Sequence, residues 1–573
     1  ARCVDQATDP GAGVRARLVW LSAVEPRLAH RWIGEKRLPA LERLASNGES
    51  RAIQNFPGFG DGGFWPSLTT CSGPGHHGRY YFTQLVPGTY RLRDFTPGRD
   101  FDATPFWADV ERAGGRVAVV DMVRSPIARL RRGIEVANWM VHDPDSPAYS
   151  SPSNLIRELH ARFGPDPLGH GSDQFVRDGG SLEALLAACE SRVVAKTQWA
   201  TERLRAEEWD LFAVTFHDAH DIGHMCWHLH DPSHPRHDRE ERLRLGDPLL
   251  RICERMDESL ATLREAAGSE ALTIVITGPG MEANRTGNAA LPHLLARLAA
   301  GTAPAIPTSR PTAVGNGQEP SVSWLRRAYR EYAPRSLKQL ARSARESVQG
   351  TDDERARAAA PWFAVPYNDD SGAIRLNLVG REPRGRIRPG TDQQRALDGL
   401  CEALAEVRDE HGQPIVKEFI RIADTMSGPR LRQLPDLLVS WNRNAVFNSL
   451  HSPRIGHLQL SLQDPARTGD HTRRGELIVS DACGLRADGS DALDPVTAGR
   501  FVRGLSLART ESGRGTASRT TRAGWRAAER TTGGARQAAR DRPSPCIRTV
   551  FVHRPSRNGD SITRLSWLPA VNV

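Results

Sequence analysis

Within its first 300 residues the chain repeatedly pairs a short apolar run with a stretch whose apolar residues recur at helical spacing, and this alternation constrains the fold more than any other feature. VRARLVWLSA (14–23) suits a buried strand, and from Pro26 to Asn47 the residues Leu28, Trp32, Ile33, Leu38, Leu41 and Leu44 follow at helical spacing. The pattern returns at RVAVVDM (116–122), at DLFAVTF (210–216) with an amphipathic stretch over 239–267, and at ALTIVIT (271–277) with NAALPHLLARLAA. Such alternation predicts an α/β fold built on a large, mostly parallel central sheet with helices on both faces. Ligands of these sheets sit beyond the carboxyl ends of the strands, so chemistry is expected just after Ala23, Phe216 and Thr277.

At 573 residues the chain exceeds what one small core can bury, which implies one large domain with insertions or several smaller ones. Residues 1–13 read as a flexible start, 14–300 as the α/β core, and 301–365, rich in Pro, Thr, Gly and Ser around a charged helical stretch, as a helical insertion or lid. Residues 366–485 return strand and helix signals that complete the core. From 486 to 573 periodicity fades into an Arg-rich, low-complexity tail expected to be disordered. The net charge of +9 lies in that tail: residues 500–573 hold fifteen Arg against four acidic residues, leaving 62 basic and 64 acidic side chains in the first 499. The body is therefore not basic, and no nucleic-acid partner is expected. The eight cysteines form no CxxC pair, so reduced thiols are expected rather than a disulfide framework or a cysteine zinc site. No stretch approaches eighteen apolar residues and no secretory leader is evident, so no membrane span and a cytoplasmic location are expected.

The densest chemistry lies in FPGFGDGGFWPSLTTCSGPGHHGRYY (56–81) and DLFAVTFHDAHDIGHMCWHLHD (210–231), followed by GAIRLNLVGREPRG (372–385), PDLLVSWNR (435–443) and RTGDHTRRGELI (467–478). Together with the opening strand and RLPALERLASNGE (37–49), these blocks in this order resemble the alkaline phosphatase superfamily, in its type I phosphodiesterase/nucleotide pyrophosphatase branch. The resemblance covers about 14–480. It implies a pair of metal ions held by Asp and His, and a Ser or Thr nucleophile whose covalent intermediate is then hydrolysed.

Matched residue by residue, the pattern is only partly kept. Ser22 stands where the resemblance implies a metal-binding Asp, Asp61 stands at the nucleophile position, and His220 replaces an Asp four residues before the retained His224. Gly278 and Pro279 replace an Asp and a His, whereas the final histidine is kept as His471. Asp61, in GFGDGG, reads as a turn residue, a metal ligand or a carboxylate nucleophile. His220 and His224 share one helical face and can share a zinc; His228 to His237 read as metal-capable or as an ordinary polar loop, and His471 as a ligand or a hydrogen-bonded turn residue. Cys71 lacks the C-x-P-x-R context of a sulfatase nucleophile.

Two functions of different class follow from these residues. One is a phosphodiesterase-like hydrolase or phosphoryl-transfer enzyme acting on a small-molecule phosphate ester, with a reduced site of His220, His224, His471 and Asp61 holding at most one divalent metal, zinc by its donors. The other is a catalytically degenerate relative that retains only ligand or partner binding.

Overall fold

The computed structural model describes residues 16–512, apart from 95–99, 101, 142–146, 170, 269–270, 285–286, 302–351, 368–369, 461–466 and 481–491. The flexible start, most of the 301–365 insertion and the tail beyond 512 thus lie outside the described residues.

The apolar runs form an eight-stranded sheet in the order Glu49–Gln54, Arg474–Val479, Leu272–Thr277, Ala16–Leu21, Leu211–Phe216, Val117–Val120, Ile134–Ala137, Tyr149–Ser151. The five strands from Leu272–Thr277 to Ile134–Ala137 pair in parallel, and antiparallel strands lie at both edges, so the sheet is mixed. Arg474–Val479 runs against its neighbour because the chain re-enters the sheet from the end where the parallel strands finish; Glu476 pairs with Thr277. Both faces of the central strands are covered, which is why they read as continuous apolar runs. Val120, Phe212, Val214, Phe216 and Val275 pack on one side with the helices Leu182–Ala206, Asp218–His230 and Pro248–Ala267. Val119, Leu211, Ala213, Ile274 and Ile276 pack on the other with the helices Asp61–Thr70 and Phe106–Arg112.

Two segments do more than continue this sheet. Residues 366–485 do not simply complete the same core: Trp362–Val365, Ser371–Leu376, Leu437–Trp441 and Val416–Arg421 make a separate four-stranded antiparallel sheet. Its two faces carry separate apolar cores, Ile374, Leu437, Val439 and Trp441 on one and Phe363, Val365, Ala373 and Leu438 on the other. The tail does not begin at 486, because Pro495–Ser512 is a helix packed on Asp61–Thr70 and Phe106–Arg112. Ala498, Val502 and Leu505, spaced i, i+4, i+7, bury one stripe of it in the core that holds Phe64 and Leu68. Among the described residues, no helix is long and apolar enough to cross a membrane, and Cys71, Cys189, Cys226, Cys253 and Cys401 are free thiols.

Candidate active site at the carboxyl end of the sheet

Register fixes the floor of the site. Leu21 pairs with both Phe216 and Thr277, so Ser22, His217 and Gly278 leave the sheet at one level, and Ser22 N donates to Phe216 O at 3.0 Å. The helix Asp218–His230 begins there and is buried through Leu229, with its i, i+4 pair His220 and His224 on one face. It continues through His228 and His230, which one of the sequence readings placed in a loop. His471 arrives from far along the chain on the short strand Gly469–His471, antiparallel to Met281–Ala283, with Met281 opposite His471. Thr468 N donates to His224 O at 2.7 Å, locking that strand to the helix.

The structure thereby gathers His220, His224 and His471, all buried, with one ring nitrogen of each within 4.8 Å of the others. His224 Nδ1 lies 2.8 Å from Gly469 O and His471 Nδ1 lies 3.4 Å from Gly280 O. A carbonyl only accepts, so each Nδ1 carries the proton, and in the neutral imidazole Nε2 is left as a lone pair. His220 Nε2 and His224 Nε2 face each other at 3.2 Å. Three buried imidazoles, two of them with rings oriented by backbone carbonyls, are a donor set that suits zinc, so the residues present fit a metal. Asp61 is not a member of this close group.

Beneath the histidine helix lie two buried cations that the sequence reading missed. Arg192, 1% exposed, sits 2.9 Å from Asp221 and 3.5 Å from Asp218, and Lys196 sits 3.0 Å from Asp121. Burial pushes the Asp218 carboxyl up to about 6 against the pull of Arg192 and Lys196. Asp121 also accepts from Trp139 N and Met140 N, so this network ties the histidine helix to the loop after Val117–Val120. His217 lies against His220 with ring centroids 4.2 Å apart and the rings tilted by 30°.

Asp61 opens the helix Asp61–Thr70, whose first turn is wholly buried. Gly62 permits this, since a Cβ there would lie 2.7 Å from Tyr80 O and from Tyr81 Cα. Asp61 Oδ2 accepts from Arg124 Nε at 2.7 Å. Burial raises the Asp61 carboxyl, but the charges of Arg124 and His471 outweigh it and hold the group well below the usual carboxylate range. Arg124 follows the strand Val117–Val120 with φ 47°, and its guanidinium lies over the Phe82 ring at 5.1 Å. A Ser–His pair nearby is structural rather than nucleophilic. His77 Nδ1 accepts from Arg79 N at 3.0 Å, so Nε2 carries the proton toward Ser67 Oγ, while that hydroxyl donates to Gly63 O at 2.6 Å. Cys71 stands in the left-handed region, and burial pushes its thiol up to about 12, which leaves it inert.

The backbone is closed to side chains at positions 278 and 280. Gly278 has φ 94°, and a Cβ on it would lie 2.6 Å from Gly475 Cα. The Glu25 carboxylate occupies the space a side chain at Gly280 would need, accepting from Thr472 Oγ1 and Arg474 Nε, each at 3.0 Å.

A family model described as Type I phosphodiesterase / nucleotide pyrophosphatase matches residues 18–354, more than half of the chain. A comparison with curated proteins finds no match. Among solved structures, phosphonoacetate hydrolase from Sinorhizobium meliloti 1021 in complex with phosphonoformate aligns with a TM-score of 0.49 at 16% identity, over 87% of this chain and 96% of that one. Human ectonucleotide pyrophosphatase / phosphodiesterase 5 aligns with a TM-score of 0.44 at 12% identity, over 86% and 94%.

Proposed function

Because the chain belongs to the type I phosphodiesterase / nucleotide pyrophosphatase family of the alkaline phosphatase superfamily, we propose that it is a metal-dependent hydrolase of small-molecule phosphate esters or diesters. The observation that carries this reading is the buried group of His220, His224 and His471 at the sheet end where the ionised Asp61 also lies. The three imidazoles would hold one zinc, which when bound polarises a phosphoryl oxygen.

Asp61 takes the nucleophile's place. One carboxylate oxygen attacks phosphorus as the bond to the leaving oxygen breaks, and the leaving group takes a proton from water. Water then attacks the aspartyl phosphate, releasing the phosphoryl product and returning the carboxylate. The Arg124 hydrogen bond keeps Asp61 charged and oriented through both steps.

The closed ligand position at Gly278 favours a second reading, a relative that binds but does not turn over. Hydrolysis of a generic aryl phosphodiester with added zinc or manganese separates the two. The hydrolase reading expects turnover by the wild type and none by Asp61→Asn. It is abandoned if the wild type is silent with either metal and Asp61→Asn alters only stability.

A further inference from the structure

We propose that Arg124 is the phosphoryl-oxygen-binding residue of this site and supplies its second fixed positive charge, so that the centre works with one metal and one guanidinium. The inference rests on the hydrolase reading above and deepens it. Two metals placed side by side would need two donor sets. Beyond the three imidazoles, the positions where the resemblance implies further ligands hold a neutral hydroxyl at Ser22, a glycine whose side-chain space is filled by Gly475 at 278, and a proline at 279, while the other close donor group, Cys189, Asp218 and Asp221, is already paired with the buried Arg192. None of these can carry the charge of a second divalent ion. A phosphoryl group gathering negative charge nevertheless needs compensation on the side away from the first metal.

Arg124 is where that charge stands. Its side chain is only 10% exposed, and it enters from the carboxyl end of Val117–Val120, the same end of the sheet from which His217 and Ser22 emerge. The loop is pinned by Asp121, which Lys196 and two backbone amides hold. The Phe82 ring backs the guanidinium. A guanidinium presents five donors in a planar fork, of which Nε engages Asp61, and that fork matches phosphate oxygens. When Asp61 gives up its charge in attacking phosphorus, Arg124 is left beside the transferred group.

The pairing makes two substitutions act with opposite sign. Inorganic phosphate is titrated calorimetrically into the zinc-loaded full chain, with zinc per chain measured in parallel. Arg124→Gln is expected to weaken phosphate at least tenfold with zinc content unchanged, and Arg124→Lys to recover part of the loss. Asp61→Asn, which removes the anion competing for the guanidinium, is expected to tighten it. The assignment is overturned if Arg124→Gln binds phosphate like the wild type, if both substitutions weaken binding alike, or if the zinc-loaded wild type binds no phosphate. Because phosphate binding needs no turnover, a catalytically silent protein would overturn the hydrolase reading while leaving this measurement decisive for Arg124.

Discussion

At position 278 the chain takes φ 94° with Gly475 Cα in the way of any Cβ, so only glycine fits. Restoring a carboxylate there, Gly278→Asp, is expected to destabilise the protein by roughly 3 kcal/mol from strain and overpacking and to add no metal; denaturant unfolding and elemental analysis check both. His77 sets a second residue-level expectation. Burial, helped by Arg79, holds its imidazole down at about 3, whereas an unfolded histidine titrates near 6.5. The unfolded chain therefore binds the proton first, so stability is full above pH 6.5 and falls as pH drops from there toward 3, by up to about 1.4 kcal/mol per unit. His77→Asn should flatten that slope in thermal melts between pH 6.5 and 4, and an unchanged slope would refute the assignment. The histidines were legible in the sequence because His220 and His224 carry helical spacing and His471 sits in an ordered block. Arg124 was not, since its partner lies 63 residues away, nor were Arg192 and Lys196, because cations on an amphipathic helix read as its solvent face.

Elements with one strong period were readable, and elements whose burial depends on distant partners were not. The strands Leu211–Phe216 and Leu272–Thr277 are buried on both faces and announce themselves as apolar runs. The helix Pro495–Ser512 buries only a narrow stripe between arginines, so composition hid it, although Gly499 lets it approach the backbone of Leu68 closely. Its contribution can be measured by truncation. Ending the chain after residue 494 removes Ala498, Val502 and Leu505 from the core against Phe64 and Leu68, a loss of roughly 4 kcal/mol or more. Ending it after residue 512 removes only the Arg-rich remainder, which lies outside the described residues. The first truncation should lower the melting temperature by many degrees and the second should leave it in place; equal melting temperatures would show that the helix carries no stability.

For the whole molecule, the same register that ends three strands at one level also separates two charge environments. The histidine group draws on the helix Asp218–His230 and the strand Gly469–His471, more than two hundred residues apart in sequence, and so exists only when the sheet is complete. Asp61 and Arg124 come from the other flank and form an ion pair of their own. Metal binding and folding should therefore be coupled, because an unfolded chain does not hold the three imidazoles together. One equivalent of zinc per chain is expected, and free zinc at 100 times its dissociation constant should stabilise the fold by about 2.7 kcal/mol. Changing both His220 and His224 to Ala should remove the bound zinc and the thermal shift together, whereas Asp61→Asn should keep both, since Asp61 stands outside the close donor group. Two tightly held zinc ions in the wild type that survive loss of both histidines would show that the chain builds its metal centre from other residues.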